Sequence, residues 1–428
     1  MKVPPSIFND VLGPVMRGPS SSHSAAANRI ARIARALVQE PVKKVIANYD
    51  PNGSLVTTHK EQGTDLGLYS GILGWEPDDE RLPTFPDELK KQGIDTVINY
   101  VSYDAPHPNF YRLELIGLSG TSYHLDATST GGGMIAMQAI DGFPFPGQGD
   151  LHDIVFWLDQ TPAGETYLNT PLSLAAERHS WIEGPDGKGL LRFSSRLLPS
   201  DEEVATMASQ LGATRSRTLP AVLPILSRRD LDVPFTRCGE MLDHPEFGER
   251  PLWESAAAYE AARGGISQDE VLDKMKALAK IMAGAIATGL AGTEYGDRIL
   301  PAQSPGFSKA EAEGRLIPAD INNRIIRYVS AIMEVKSSMG VIVAAPTAGS
   351  CATFPATCVA AAEAMDATED QTLRAMLAAG LIGVFVTTRS SFAAEVGGCQ
   401  AETGAGAAMA AAALVELAGG NAEQALGA

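Results

Sequence analysis

The sequence predicts an α+β N-terminal domain followed by a mostly α-helical C-terminal domain. Three observations predict it. Over residues 1–148, short runs that alternate in the strand period are interleaved with helical stretches. From Trp253 onward the chain becomes alanine-rich, with larger apolar residues at helical spacing. The 428 residues, 45% hydrophobic and 20% charged, suffice for two or three domains with a sizeable core.

The elements follow in order. Residues 25–39 read as a helix, 42–48 as a strand, 64–73 as a helix, and 111–117 and 121–128 as strands with Gly120 as a turn between them. Residues 149–252 hold many Pro, Arg and Asp residues and read as a connecting segment that partly belongs to the second domain. Within it, 201–211 is a helix whose acidic first turn suits the helix dipole. Over 253–428, Ser267 with Glu270 three residues later forms a capping box. The helix it opens runs through Met275, Leu278, Ile281 and Met282, and 320–333, 356–365, 371–382 and 404–417 are further helices. Their small residues favour close packing.

Composition excludes some functions. Lys and Arg total 34 against 51 Asp and Glu, a net charge of −17, which argues against nucleic-acid binding. Cys238, Cys351, Cys358 and Cys399 are too few and too irregular for a disulfide scaffold. They leave free thiols, a metal site or buried small hydrophobes. Met1-Lys2-Val3-Pro4-Pro5 lacks the apolar region of a secretory signal, and the small-apolar stretch 405–413 falls short of the roughly 20 residues of a membrane span. A cytoplasmic protein with no membrane partner is expected.

Four segments carry candidate chemistry. Arg17-Gly18-Pro19-Ser20-Ser21-Ser22-His23-Ser24 puts hydroxyls before a helix N-terminus, a natural carboxylate or phosphate cradle, with His23 as a general base or acid. The bland alternative is an ordinary cap with an exposed histidine. Ser129-Thr130-Gly131-Gly132-Gly133 allows close backbone approach or is a tight turn, and Gly63-Thr64-Asp65 and His107-Pro108-Asn109 are similar turn-like clusters. Ala344 to Cys351 places a Gly/Ser/Thr loop between the β-branched run Val341-Ile342-Val343 and a helix, again an anion-binding arrangement but not a P-loop. In Glu395-Val396-Gly397-Gly398-Cys399-Gln400-Ala401-Glu402-Thr403-Gly404, a cysteine lies among glycines between two carboxylates.

Taken together, these segments resemble the iron–sulfur-dependent L-serine dehydratases (L-serine ammonia-lyases). Gly18 to His23, Gly63-Thr64-Asp65, His107-Pro108-Asn109 and Ser129 to Gly133 are similar to that family's β domain in order and rough spacing. Ala345 to Ser350, and Glu395 to Gly404 with the helix around Met409, resemble its α domain. The resemblance covers roughly 1–145 and 255–428. It implies a catalytic C-terminal domain and a role in amino-acid catabolism and gluconeogenesis. It also implies an amino-acid substrate losing water at a [4Fe–4S] cluster held by three thiolates. His23 is then the base. Ser20, Ser21, Ser22, Ser24, Thr347, Gly349 and Ser350 bind substrate, and Cys399 is the first cluster ligand. Family members are commonly dimeric, and a homodimer is compatible with the small-residue helices.

The sequence departs from the family in one respect. The two further ligand cysteines are expected downstream in a Cys-Asp-Pro…Pro-Cys segment, and this chain continues 428 − 399 = 29 residues past Cys399. Three accounts are open: a fragment or split gene, which is favoured; a separate chain completing the cluster site; or a divergent site using Cys351 and Cys358. Those two share a helix face only if the stretch between them is helical throughout, which Pro355 puts in question. After Thr293 the chain reads Tyr295-Gly296-Asp297-Arg298-Ile299-Leu300-Pro301, without the expected glycine-rich wording. Other functions remain in view: a cluster-free amino-acid-binding or regulatory protein on the same scaffold, a lyase for another β-substituted amino acid, and a cysteine-nucleophile enzyme using Cys399.

Overall fold

The helix Ala26–Val38 illustrates how the N-terminal half is built. Ile30, Ile33, Ala34 and Leu37 recur at helical spacing and are all buried. The helix ends at Gln39 in the left-handed region, with Pro41 two residues on. Its apolar stripe and the helix Thr64–Ile72 lie against a sheet that presents Tyr111, Leu113, Leu115 and Leu125. The computed structural model describes residues 3–162, 166–184, 187–296 and 301–428. Met1, Lys2 and the stretch 297–300 noted above lie outside the described residues.

That sheet has six strands in the order β3-β2-β4-β5-β6-β7. They are β2 (Val42–Tyr49), β3 (Asp95–Tyr100), β4 (Phe110–Gly117), β5 (Ser122–Gly131), β6 (Met134–Ile140) and β7 (Phe143–Gly147), with β1 (Val15–Met16) lying outside it. β2 and β3 are parallel and the other pairs antiparallel. The strand-period alternation is real: β4 buries Tyr111, Leu113 and Leu115 and leaves Arg112, Glu114 and Ile116 half-buried.

The stretch read as a connecting segment holds a second, four-stranded antiparallel sheet in the order β11-β8-β10-β9. Its strands are β8 (His152–Leu158), β9 (Ala176–Glu183), β10 (Gly189–Ser195) and β11 (Arg215–Leu219). β8 shows why no strand was predicted there. Val155 and Trp157 pack toward the first sheet's core, while Ile154, Phe156 and Leu158 pack toward the helix Asp201–Leu211. Burial on both faces erases the alternation that marks a strand. The 201–211 helix is as expected, with a Ser200–Glu203 capping box and Gly212 closing it at φ 63°. From Ile225 onward the segment packs into the helical half through Phe235, Met241 and Phe247.

The C-terminal half is mostly helical: Leu252–Gly264, Gln268–Ala291, Asp320–Ser337, Thr353–Ala364, Glu369–Arg389 and Cys399–Leu417. The Ser267–Glu270 capping box is present, Ser267 Oγ accepting the Glu270 N–H at 3.1 Å. The helix Glu369–Arg389 is long and apolar enough to cross a membrane, but 67% of its apolar window is buried within the fold. Among the described residues no other helix meets that test.

The N-terminal segment ties the halves together. Ile7, Phe8, Val11 and Leu12 are buried in the helical core, against Gly380 and Gly383, where a Cβ would collide with Ile7 and Val11. The segment is fastened by three neighbours on one helix. Tyr259 Oη donates to Pro5 O at 2.8 Å, Arg263 Nε donates to Pro4 O at 2.6 Å, and the Glu260 carboxylate accepts the Ile7 N–H at 2.7 Å and the Ser6 hydroxyl. β1 then pairs antiparallel with β12 (Ile342–Val343), Val15 opposite Val343.

Two outcomes follow for stability. Burial pushes the Glu260 carboxyl up to about 7, from an ordinary value near 4.5. The folded state therefore holds this proton more tightly than the unfolded chain. The associated stability is fully present below pH 4.5 and is lost as pH rises through about 7. Urea unfolding across that window should show a loss on the order of 3 kcal/mol that Glu260→Gln abolishes. Separately, a Cβ at Gly67 would run into the Ser24 carbonyl. Gly67→Ala should destabilise the protein by about 1–3 kcal/mol in the same measurement, the clash outweighing the helix preference for alanine.

Candidate functional site

The Ser20 to Ser24 segment winds into a single wide turn, Ser21–Ala25, that runs directly into the Ala26–Val38 helix. The Ser24 N–H already closes on Ser20 O at 2.7 Å. His23 is 2% exposed, which overturns the exposed-cap alternative. The four serines divide their work. Ser24 Oγ donates to Gln62 O at 3.2 Å, and Gly63, at φ 82°, leaves no room for a side chain beside it. Ser21 Oγ accepts the Ala348 N–H at 3.2 Å, from the loop after β12. Ser20 Oγ lies 3.1 Å from His23 Nδ1, and Ser22 Oγ donates to Glu395 Oε1 at 3.4 Å. Ser21 and Ser24 therefore anchor the turn, while Ser20 faces the histidine and Ser22 faces Glu395.

Glu395 comes from the other half of the molecule. Its Oε1 is 3.6 Å from His23 Nδ1. Burial lowers the His23 pKa below its ordinary value, and the Glu395 charge pulls it partly back up. His23 Nε2 and Glu395 Oε2 are buried without a hydrogen-bond partner. So the ring is neutral near pH 7, with one nitrogen oriented by Ser20 and Glu395 and the other open to a reacting group.

The remaining motifs gather around this pair. Burial also lowers the His107 pKa, with Glu395 opposing it. Burial, together with the Glu395 and Asp65 charges, holds the Tyr111 hydroxyl protonated far above the ordinary phenol range. Gly131 abuts Ala393, and Gly132 lies against Pro346 O, so the three-glycine turn lies against both C-terminal loops. Buried polar atoms without partners occur in these motifs: Asn109 Nδ2, Thr128 Oγ1 and Ser129 Oγ. Unsatisfied groups at this density suit a polar ligand.

The loop after β12 is built around Glu402. Thr347 Oγ1 donates to its carboxylate, and the Ser350 N–H donates to Thr347 Oγ1 at 3.3 Å. Gly349 is exposed, and a Cβ there would strike the same carboxylate. Thr347, Gly349 and Ser350 thus gather beside a glutamate that the sequence reading left out of the site. Glu395 was passed over in the same way. Their positions on either side of Cys399 were the available signal.

The cysteines do not converge. Cys399 is exposed at the start of the Cys399–Leu417 helix. Cys351 packs with Met16, Ile342 and Ala348, and Cys358 lies in the main helical core with Phe354. Burial pushes both thiols up to about 12, keeping them protonated. The helix begins at Thr353, taking Pro355 in its first turn, so it does not carry Cys351. Cys351 and Cys358 thus lie in separate apolar clusters and share no helix face. Among the described residues no three His, Cys, Asp or Glu side chains are placed to hold a metal ion. A cluster needing three thiolates is not matched by the single exposed thiol at this site.

Comparison with known proteins adds to the geometry. Residues 233–428 match the family described as "Serine dehydratase alpha chain". The L-serine dehydratase beta chain of Peptoniphilus asaccharolyticus is 32% identical over 165 residues, 38% of this chain and 73% of that protein. The alpha chain from the same organism is 37% identical over 164 residues, 37% of this chain and 55% of that protein. The L-serine dehydratase of Streptomyces coelicolor is 25% identical over 417 residues, 95% of this chain and 77% of that protein. The chain thus spans little more than half the length of the alpha chain it matches.

The His23–Glu395 contact can be tested directly. Glu395→Gln removes the charge that supports the imidazolium, so the His23 pKa should fall further. NMR titration of the His23 ring in both proteins reads this shift. An unchanged pKa would mean that the carboxylate does not act on the ring.

Proposed function

This chain belongs to the L-serine dehydratase family, and on that premise we propose that it eliminates water from L-serine, giving aminoacrylate that hydrolyses to pyruvate and ammonia. The observation that carries the reading is His23, a buried neutral imidazole oriented by Glu395 with Nε2 unpartnered. In this reading Nε2 takes the α-proton of serine, and the Glu395 carboxylate stabilises the imidazolium that forms. The imidazolium gives that proton to the departing β-hydroxyl, which leaves as water and restores the neutral ring. Ser20 borders the base and Ser22 its partner Glu395, while Thr347, held by Ser350, fixes Glu402, and the bare backbone at Gly349 leaves an approach for substrate. The [4Fe–4S] cluster implied by the family resemblance would supply a Lewis acid for the hydroxyl. Cys399 alone does not fit such a cluster, so no step is derived through it. We infer that any cluster takes its other thiolates from beyond Cys399, in a further stretch of chain or in a separate chain.

The failure of the cysteines to converge favours a second reading, a cluster-free amino-acid-binding or regulatory protein on this scaffold. Anaerobically prepared protein should form pyruvate from L-serine. His23→Ala should lower that rate by about 10²–10⁴-fold, with serine binding retained by calorimetry. Serine binding by the unaltered chain, without iron or pyruvate after reconstitution, would support the second reading. No serine binding at all would remove both.

A further inference from the structure

A second histidine–carboxylate pair lies in the N-terminal half, and no step of the proposed elimination uses it. His59 Nδ1 is 2.9 Å from both Asp65 oxygens, and His59 Nε2 is 2.8 Å from the Tyr100 hydroxyl. His59 is 4% exposed, whereas Tyr100 is 53% exposed. A buried imidazole thus joins a carboxylate to a phenol that faces solvent.

The local fold holds all three groups in place. Tyr100 ends β3, the edge strand of the six-stranded sheet, and pairs with Tyr49 of β2. The rings of Tyr49 and Tyr100 flank the imidazole, with centroids 6.0 and 6.1 Å from it. The His59 N–H donates to Leu55 O at 2.9 Å, and the Asp65 N–H donates to His59 O at 3.0 Å, so the loop between the two residues sets their separation. Hydrogen bonding also fixes the tautomer. A carboxylate only accepts, so Nδ1 carries the proton shared with Asp65, and the Nε2 lone pair accepts the Tyr100 O–H. Burial raises the Asp65 carboxyl above its ordinary value, and the His59 contact and the Lys60 charge pull it partly back. Carboxylate, imidazole and hydroxyl in that order form the arrangement that activates an oxygen nucleophile.

We propose that Tyr100 is a modification site, a nucleophilic phenol that takes an acyl group from a neutral activated ester with His59 as its base. Tyr100 Oη bonds to the carbonyl carbon as its proton passes to His59 Nε2, and Asp65 stabilises the imidazolium. The bond from that carbon to the ester oxygen breaks, and the leaving oxygen takes the proton from Nε2. The products are an ester on Tyr100 and a free alcohol, and no group is oxidised or reduced. A neutral ester suits the site better than an acyl phosphate, because the donor approaches the Asp65 carboxylate on a chain of net charge −17. The site goes beyond the dehydratase reading and does not depend on it.

The test treats the full chain with p-nitrophenyl acetate and follows acetylation of each tyrosine by peptide mass spectrometry. Tyr295, 38% exposed, is the internal reference. Tyr100 should be acetylated about tenfold faster than Tyr295 or more. Tyr100→Phe should abolish the rapid phase of p-nitrophenol release. His59→Gln and Asp65→Asn should each slow Tyr100 toward the Tyr295 rate, and Asp65→Asn decides the matter if His59→Gln loses its circular-dichroism signal. Equal rates at Tyr100 and Tyr295 in the unaltered chain overturn the site. An unchanged Tyr100 rate in a folded variant overturns His59 as the base. A larger ratio of Tyr100 to Tyr295 acetylation with acetyl phosphate than with the ester overturns the neutral-donor assignment. Acetylation and pyruvate formation are separate readouts, so the two readings fail separately.

Discussion

The antiparallel pairing of β1 with β12 is the constraint on which the rest of the structure depends. Two residues on each side, Val15 with Val343 and Met16 with Ile342, join segments more than 300 positions apart. Each strand leads directly into a candidate site loop. After β1 comes the Ser20 to Ser24 turn, and after β12 comes the Thr347 to Ser350 loop. The pairing fixes their separation, and the Ser21–Ala348 hydrogen bond completes the register. So short a ladder would not persist alone. It is held by Ile7, Phe8, Val11 and Leu12 in the helical core and by the Tyr259, Glu260 and Arg263 contacts. The apolar burial of a segment far from the chemistry thus sets the geometry of the chemistry.

Burial also decides the state of the base. His23 loses solvation, which favours the neutral ring, and Glu395 restores part of the preference for the charged one. Either effect alone would serve poorly. A ring with no carboxylate would have no support for the imidazolium, and an exposed ring beside a carboxylate would be held protonated. Placing Glu395 on the helical half and His23 on the other makes this balance a property of the assembled molecule.

The regular elements were legible in the sequence because their burial is one-sided. β4 alternates as a half-buried strand should, an acidic first turn identified the 201–211 helix, and a capping box identified the start of the 268–291 helix. β8 was not legible, since both its faces are buried and its apolar run has no period. The N-terminal segment was missed for a different reason. Ile7, Phe8, Val11 and Leu12 are too few to signal a core element, and their partners lie hundreds of residues away. At the site, the serines, His23, Thr347 and Ser350 could be picked out by type. Which serines anchor the turn and which face His23 or Glu395 depends on distant partners, Gln62 and Ala348 against Glu395. Cys351 and Cys358 show what residue type alone leaves open. Their residue type suggested ligands, but the apolar surroundings that keep them protonated were set by tertiary packing.

Two carboxylates at the site impose a division of labour on any zwitterionic ligand. Glu395 and Glu402 repel an incoming carboxylate, so that group must meet hydroxyls and backbone N–H groups instead. The turn and loop segments supply these. An ammonium group is drawn the other way, toward the glutamates. Thr347 holds Glu402 and Ser22 reaches Glu395, so neither side chain is free to swing aside. In the proposed reaction these held carboxylates would orient an amino acid by its ammonium group, and the same charge pattern would disfavour a dicarboxylate.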